Sequence, residues 1–149
     1  MTLKNLLAIN RLQEHQTDAV SVARLLAAAT RNLADAQVTA ISPDSRFDAA
    51  YKCVMQCAML GLWANGYRTT TSQPGHHQTA IQSLPLTMAC DKATTIVLDG
   101  LRKQRNLGDY VGESVSAAVL ASAIDEATKL LAHTRTWLRA SRPELVPDG

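Results

Sequence analysis

The segment RKQRNLGDY, residues 102–110, gathers basic and polar side chains of the kinds that bind phosphate groups. It admits two interpretations: the basic end of a helix, where cations complement the helix dipole, or an arginine site with polar partners. Arg105 falls on the apolar face of a predicted helix, following at four-residue steps Ala93, Val97 and Leu101. An unpaired guanidinium on such a face is costly. We therefore expect Arg105 to line a cleft or to pair with Asp109 or Tyr110.

Four further residues near this segment have simpler interpretations. Arg102 and Lys103 are expected to be ordinary charges at a helix end, with contact to a nucleic acid as the alternative. His76 and His77 are neighbours at the start of a short helix, so they do not share a helix face and are poor joint metal ligands. A surface role is the default for both histidines, and they join the site only if their loop folds over Arg105.

Composition and periodicity predict an all-α protein. Of the 149 residues, 46% are hydrophobic and 19% are charged, which is typical of a folded rather than a disordered chain. Apolar residues recur at spacings of three and four, and strand-like alternation is nearly absent. We predict an up-and-down helical bundle of four main helices plus one or two short helices. It forms a single domain over residues 1–149, with its core in residues 17–140 and a flexible tail in residues 141–149.

Capping residues and glycines predict the helix boundaries. The predicted helices cover residues 1–15, 17–40, 42–65, 76–85 and 89–107, and a last helix starts near Ser114 or Ser116 and stops before Pro143. Thr17 is the predicted N-cap of the second helix, and Pro43 occupies the first turn of the third, which Gly66 ends. Gly108 is predicted to end the fifth helix, which places Asp109 and Tyr110 just beyond it.

The sequence RNLGDY, preceded by FDAAYKCVMQCAMLGLW, resembles the HEPN superfamily, and most closely the small stand-alone HEPN proteins of bacterial toxin–antitoxin and defence modules. The resemblance covers residues 44–138. It implies a helical bundle that forms homodimers, with the motifs of both subunits lining one cleft. It also implies an RNA substrate, metal-independent ribonuclease chemistry and no cofactor. A nucleotidyltransferase encoded by the adjacent gene is the implied partner, and in some such pairs it modifies a tyrosine beside the motif.

Residue by residue, Arg105 matches the arginine of the family motif and Asn106 the polar residue after it. The arginine stabilises the phosphate, and a histidine in active members acts as acid or base on the RNA 2′-hydroxyl. Tyr110 lies where many active members have that histidine, and a tyrosine is the weaker base at pH 7. The predicted catalytic residues are Arg105, Asn106, Asp109 and Tyr110. The predicted nucleic-acid contacts are Arg102, Lys103, His76 and His77.

The resemblance predicts an RNA-binding, ribonuclease-like toxin with a degenerate motif. It does not decide whether the protein is catalytically active. The alternative is a non-catalytic interaction protein, an antitoxin or a modification target, that binds a nucleotidyltransferase. A dedicated DNA-binding protein is disfavoured, because the net charge is only +2 and no strongly basic recognition helix is visible. Three cysteines and no signal peptide predict a cytoplasmic location with reduced thiols. No apolar run approaches the ~20 residues of a membrane span, so no membrane association is expected.

Overall fold

The computed structural model describes residues 1–148 and shows an all-α bundle with one small sheet. Its elements are α1 (Leu3–Ala8), β1 (Leu12–Glu14), α2 (Ala19–Ala36), α3 (Pro43–Ala64), β2 (Tyr67–Thr69), α4 (His76–Gln82), α5 (Leu84–Met88), α6 (Lys92–Val111) and α7 (Ala117–Ser141). A one-turn 3-10 helix, Pro143–Leu145, follows α7. The long helices α2, α3, α6 and α7 confirm the predicted fold class.

Helix α3 forms the centre of the core. It packs mainly against α2 and α7, and it also contacts α4, α5 and α6. Its apolar side chains are buried on several sides of the helix, because neighbours surround it. At Gly61 the short helix α5 comes so close that a Cβ would lie 2.8 Å from Thr87 Oγ1. A polar residue on α3 can therefore meet residues from several other helices.

Local sequence signals explain the ends of α3 and the start of α7. The Ser42 hydroxyl accepts a hydrogen bond from the backbone N–H of Ser45 at 3.1 Å, and Ser116 caps α7 in the same way. Gly66 has a φ of 89°, which a glycine adopts without steric strain, and it follows α3 directly. These boundaries agree with the sequence prediction.

Helix α2 is shorter than predicted at both ends. Its N-cap is Asp18 rather than Thr17, and the Asp18 carboxylate accepts a 2.7 Å hydrogen bond from the N–H of Ser21. A carboxylate at this position also complements the positive end of the helix dipole. At the other end, α2 stops at Ala36 with Gln37 as its C-cap, and Ala40, the last residue of the predicted apolar stripe, is exposed.

The predicted helix over residues 1–15 is wrong in its second half. Helix α1 ends at Ala8, and Asn10 adopts a φ of 61°, a conformation that asparagine tolerates better than most residues. The chain then reverses into β1, which pairs antiparallel with β2 so that Leu12 lies opposite Thr69. Leu12 is buried in this arrangement, and this burial favours the strand over a longer helix.

The single short helix predicted over residues 76–85 is divided into α4 and α5. Pro85 does not end α4 but lies in the first turn of α5. Backbone N–H groups in a first turn have no partner within the helix, so the missing N–H of proline costs no hydrogen bond there. Helix α5 ends at Ala89, whose φ of 56° is unusual for a residue with a side chain.

Helix α6 extends past its predicted end. Gly108 is helical, and the helix ends at Gly112, which has a φ of 67°. Asp109 and Tyr110 therefore lie inside α6, and the prediction that they follow its end is wrong. Within α6, every residue of which is described, only Leu98 and Leu101 are buried. This helix is consequently anchored by few side chains.

Packed residues extend beyond the predicted core of residues 17–140. Leu6 and Leu12 are buried before it, and Leu145 is buried after it, where the 3-10 helix contacts α2. Gly149, the last residue of the predicted tail, lies outside the described residues. Among residues 1–148, no helix combines the length and the apolar character needed to cross a membrane.

Candidate functional site

Arg105 lies between an aromatic ring and a carboxylate. Its guanidinium carbon is 5.4 Å from the centre of the Tyr51 ring, within the range of a cation–π contact. Its Nη1 atom is 3.6 Å from Asp109 Oδ2, one helical turn further along α6. Asp109 is thus the partner that the apolar position of Arg105 predicted. The Arg105 side chain is 35% exposed, so solvent and ligands reach it.

Tyr51 connects Arg105 to a histidine from another helix. Helix α4 packs against α3 and α6, and this packing places His77 Nδ1 3.2 Å from the hydroxyl oxygen of Tyr51. Burial is the main cause that raises the pKa of Tyr51 to about 12, so its phenol stays protonated at neutral pH. The ring of Tyr51 contacts Arg105 and its hydroxyl contacts His77.

The surroundings of His77 favour its neutral form. Its pKa is lowered from the usual value, first by burial and then by the nearby positive charges of His76, Arg105 and Arg102. The contact with Tyr51 fits both neutral tautomers of His77: with its proton on Nδ1 the ring donates to the Tyr51 oxygen, and with its proton on Nε2 the ring accepts the Tyr51 hydroxyl proton at Nδ1. Only the first tautomer leaves the Nε2 lone pair free, and in that form His77 meets the requirements for a general base.

Two carboxylates border the same cluster. Partial desolvation raises the pKa of Asp48 on α3, and repulsion from Asp109 raises it further, while Arg105 and Lys52 act in the opposite direction. Asp48 and Asp109 are therefore close enough to influence each other, and the positive charge of Arg105 offsets part of their repulsion. We call Asp48, Tyr51, His76, His77, Arg105 and Asp109 the α3–α4–α6 cluster.

Arg102 and Lys103 both pair with Asp99 within α6. Arg102 Nε lies 2.8 Å and Lys103 Nζ 3.6 Å from the Asp99 carboxylate, whose pKa the Arg102 hydrogen bond lowers. The Lys103 side chain is 70% exposed. These short-range pairs favour the interpretation of both residues as ordinary helix charges, and their contact with a nucleic acid stays a prediction.

Neither Tyr110 nor Asn106 makes a hydrogen bond to a residue of the cluster. Tyr110 is 84% exposed, because five residues of helix rotate it by about 140° from Arg105. Asn106 is half-buried, and its side chain makes no hydrogen bond within residues 1–148. Because α6 continues through Gly108 instead of ending there, Tyr110 lies on a different side of the helix from Arg105, and its part in the site stays a prediction.

One face of α6 is apolar and exposed. Its large members are Ile96, Val97, Leu107, Tyr110 and Val111, with exposures between 39% and 84%. Gly100 lies among them, is itself exposed, and has open space where a Cβ would project. We call these six residues the α6 face. The exposed Lys103 and Gln104 lie between Gly100 and Leu107 on this side of α6 and divide its apolar residues into two patches, and exposed apolar patches are typical of interaction sites.

Tyr51 and Asp48 were not predicted as site residues. Tyr51 lies on the apolar stripe of α3, where a core role is the ordinary expectation. The available signal is chemical: a buried tyrosine hydroxyl needs a hydrogen-bond partner, and aromatic residues are only 4% of this chain. Within residues 1–148, no group of three or more His, Cys, Asp or Glu side chains is placed to hold a metal ion.

Comparison with known proteins gives no relative for this chain. No protein-family model matches it, and neither a curated protein nor a solved structure matches it. The resemblance to the HEPN superfamily therefore stays a prediction that rests on the residues themselves.

Proposed function

We propose that this protein is a HEPN-type toxin that binds RNA at the α3–α4–α6 cluster and cleaves it without a metal ion. The observation that carries the proposal is the contact of Tyr51 with both Arg105 and His77. In this arrangement His77 acts as the acid and base, the role that a histidine at the position of Tyr110 has in active members of the family. The proposal thus keeps the predicted arginine and replaces the predicted tyrosine with a histidine from α4.

The reaction needs only proton transfer and charge stabilisation. Nε2 of His77 accepts the proton of a ribose 2′-hydroxyl, and the 2′-oxygen then attacks the adjacent phosphorus. The bond from phosphorus to the 5′-oxygen breaks, and the leaving oxygen takes a proton from the imidazolium or from water. The products are a 2′,3′-cyclic phosphate and a 5′-hydroxyl. Because DNA lacks the 2′-hydroxyl, it is not a substrate.

Arg105 supplies positive charge to the phosphate during this reaction. Its 3.6 Å pairing with Asp109 is longer than a tight charge-assisted hydrogen bond, so a phosphate oxygen competes readily for the guanidinium. Electrostatic groups aimed at developing charge are often the largest single contribution to catalysis. Asp109 pairs with Arg105 while the site is empty, and both Asp48 and Asp109 repel a bound phosphate.

The proposed test is cleavage of an RNA oligonucleotide by the purified full chain in the presence of EDTA. Arg105→Ala and His77→Ala are each expected to slow cleavage roughly 100-fold or more. Arg24→Ala, which removes an exposed arginine of α2 outside the cluster, is the matched control and keeps full activity. Mass spectrometry of the products should show the cyclic phosphate, and a DNA oligonucleotide of the same sequence should stay intact.

Two results contradict the ribonuclease proposal. Cleavage that survives His77→Ala removes the assigned base, and cleavage that needs Mg²⁺ removes the metal-independent mechanism. In cells, we expect growth arrest on expression of the wild-type chain and normal growth with Arg105→Ala. The proposal places the protein in the cytoplasm, where RNA is available and its three cysteines stay reduced.

The exposed α6 face supports the proposed homodimer. When two copies of α6 pack antiparallel about a two-fold axis, Ile96 and Val97 of one copy meet Tyr110 and Val111 of the other, and Lys103 of each copy faces Gln104 of its partner at the axis. Gly100 then lies near Leu107 of the second copy, and the missing side chain allows close approach. Light scattering should show a dimer that Leu107→Glu dissociates, whereas Ile9→Glu on the exposed side of α1 leaves it intact. A monomeric wild-type chain contradicts this assignment.

The exposure of Tyr110 supports a second candidate function. As a non-catalytic target of a nucleotidyltransferase, the protein would offer Tyr110, which is 84% exposed in the single chain, and this function therefore requires that Tyr110 is not covered by a second copy on the α6 face. Co-expression with the adjacent gene should then add the mass of a nucleotide to the wild-type chain and none to Tyr110→Phe. Modification of Tyr110 in a folded chain without RNA cleavage favours this function over the first.

A further inference from the structure

A groove of about 660 Å³ runs along α2, and none of its lining residues belongs to the α3–α4–α6 cluster. One wall consists of small apolar side chains of α2, among them Ala19, Ala23 and Ala27. The other wall is the segment after α7, where Leu145 is buried and Val146 is half-buried. Its volume is in the range of about 300–1,000 Å³ that is usual for small-molecule sites.

One end of this groove carries two positive charges. Arg135 from α7 donates a hydrogen bond to the hydroxyl of Thr30 on α2, and Arg31, the next residue of α2, also lines the groove. Neither arginine has a salt bridge to a carboxylate among the described residues. Asp148 also lines the groove, and it lies beyond salt-bridge distance from both. The end is therefore complementary to an anionic group.

The groove is long as well as apolar. From Ala19 to Arg31, α2 rises by about 18 Å, which leaves room for an extended aliphatic chain beside the alanines. Such a chain gains free energy by leaving water, and it makes no demand for hydrogen bonds from the walls. A ligand with an anionic group at one end of an aliphatic chain can contact both the arginines and the apolar wall of the groove.

We propose that this groove binds a long-chain fatty acid, with its carboxylate between Arg31 and Arg135 and its alkyl chain between α2 and residues 145–147. This site is separate from the proposed ribonuclease site, and neither proposal depends on the other. The carboxylate gains charge-assisted hydrogen bonds from the guanidinium groups, and the alkyl chain covers Ala23 and Ala27, which are exposed in the free protein.

The test is isothermal titration of the full chain with saturated carboxylates of increasing length, each below its critical micelle concentration. The affinity should rise up to fourfold for each CH₂ group that enters the groove, and it should stop rising once the chain exceeds the groove. Dodecanol, which has the same chain and no charge, should bind at least tenfold more weakly than dodecanoate. Equal binding of the alcohol and the acid overturns the proposal, and so does an absence of binding.

Two further variants distinguish the groove from other surfaces. Ala27→Trp fills the groove from an exposed position and should abolish binding, whereas Ala34→Trp, exposed on α2 outside the groove, should not change it. Arg31→Met should weaken dodecanoate roughly tenfold and leave dodecanol unchanged. Circular dichroism shows that each variant is folded. Binding that survives Ala27→Trp overturns the assignment to this groove.

Discussion

The hydroxyl of Tyr51 provides the sharpest test of the proposed site. Tyr51→Phe removes one oxygen atom and keeps the ring over which the Arg105 guanidinium lies. The substitution therefore breaks the link to His77 and leaves the link to Arg105. Both phenylalanine and tyrosine fit the same buried space, so the packing of α3 is preserved.

The expected loss of stability follows from the environment of this hydrogen bond. The bond is 3.2 Å long and joins two neutral groups, for which net contributions are about 0.5–1.5 kcal/mol. His77 is half-buried, so water replaces part of the lost bond at Nδ1. We expect the free energy of unfolding to fall by about 1 kcal/mol, which for a chain of this size lowers Tm by roughly 3 °C.

A double-mutant cycle measures this contribution directly. The free energies of unfolding in urea are compared for the wild type, Tyr51→Phe, His77→Ala and the double variant. A coupling of about 1 kcal/mol is expected, because each single variant removes the same bond. Tyr67→Phe is the control, since the Tyr67 hydroxyl makes no hydrogen bond within the described residues and its loss should change little. A coupling near zero refutes the idea that Tyr51 holds His77 in place.

Three other properties can be checked by unfolding experiments. Because the pKa of His77 is lowered in the folded state, its contribution to stability is complete above about pH 6.5 and is lost as the pH falls through the folded-state pKa. In His77→Gln, the free energy of unfolding should therefore decline less between pH 7 and pH 5 than in the wild type. Gly61→Ala should cost about 1–2 kcal/mol through its clash with α5, whereas Gly108→Ala, whose Cβ meets only an ordinary 3.6 Å contact, should stabilise α6 slightly. Ala89→Gly should stabilise the chain by about 0.5–1 kcal/mol by relieving a positive φ, and an unchanged Tm contradicts this.

The long helices could be predicted because their signals are local. Ser42, Pro43 and Gly66 specify both ends of α3 within a few residues of sequence, and Ser116 specifies the start of α7. The end of α6 was predicted at Gly108 and lies at Gly112, and residue type alone does not distinguish the two glycines. The first is accommodated inside the helix at a modest cost, and only the second adopts the left-handed conformation.

The site could be predicted only in part because its contacts join distant segments. Arg105 and Asp109 are one turn apart on α6, so their pairing follows from helical spacing. The contacts of Tyr51 with Arg105 and His77 depend instead on how α3, α4 and α6 pack together. The periodicity of one segment does not indicate how that segment packs against the others, so in the sequence an inward-facing tyrosine cannot be distinguished from an ordinary core residue.

The shallow anchoring of α6 affects the order in which the bundle opens. A helix whose only fully buried side chains are those of Leu98 and Leu101 has a low free energy of local unfolding compared with α3, whose buried side chains lie on several sides. Amide hydrogens of α6 should therefore exchange with solvent sooner than those of α3. Any ligand that binds only the folded α6, whether RNA at Arg105 or a second subunit on the α6 face, suppresses this opening by mass action. Protection of the α6 amides thus reports site occupancy without a need for turnover.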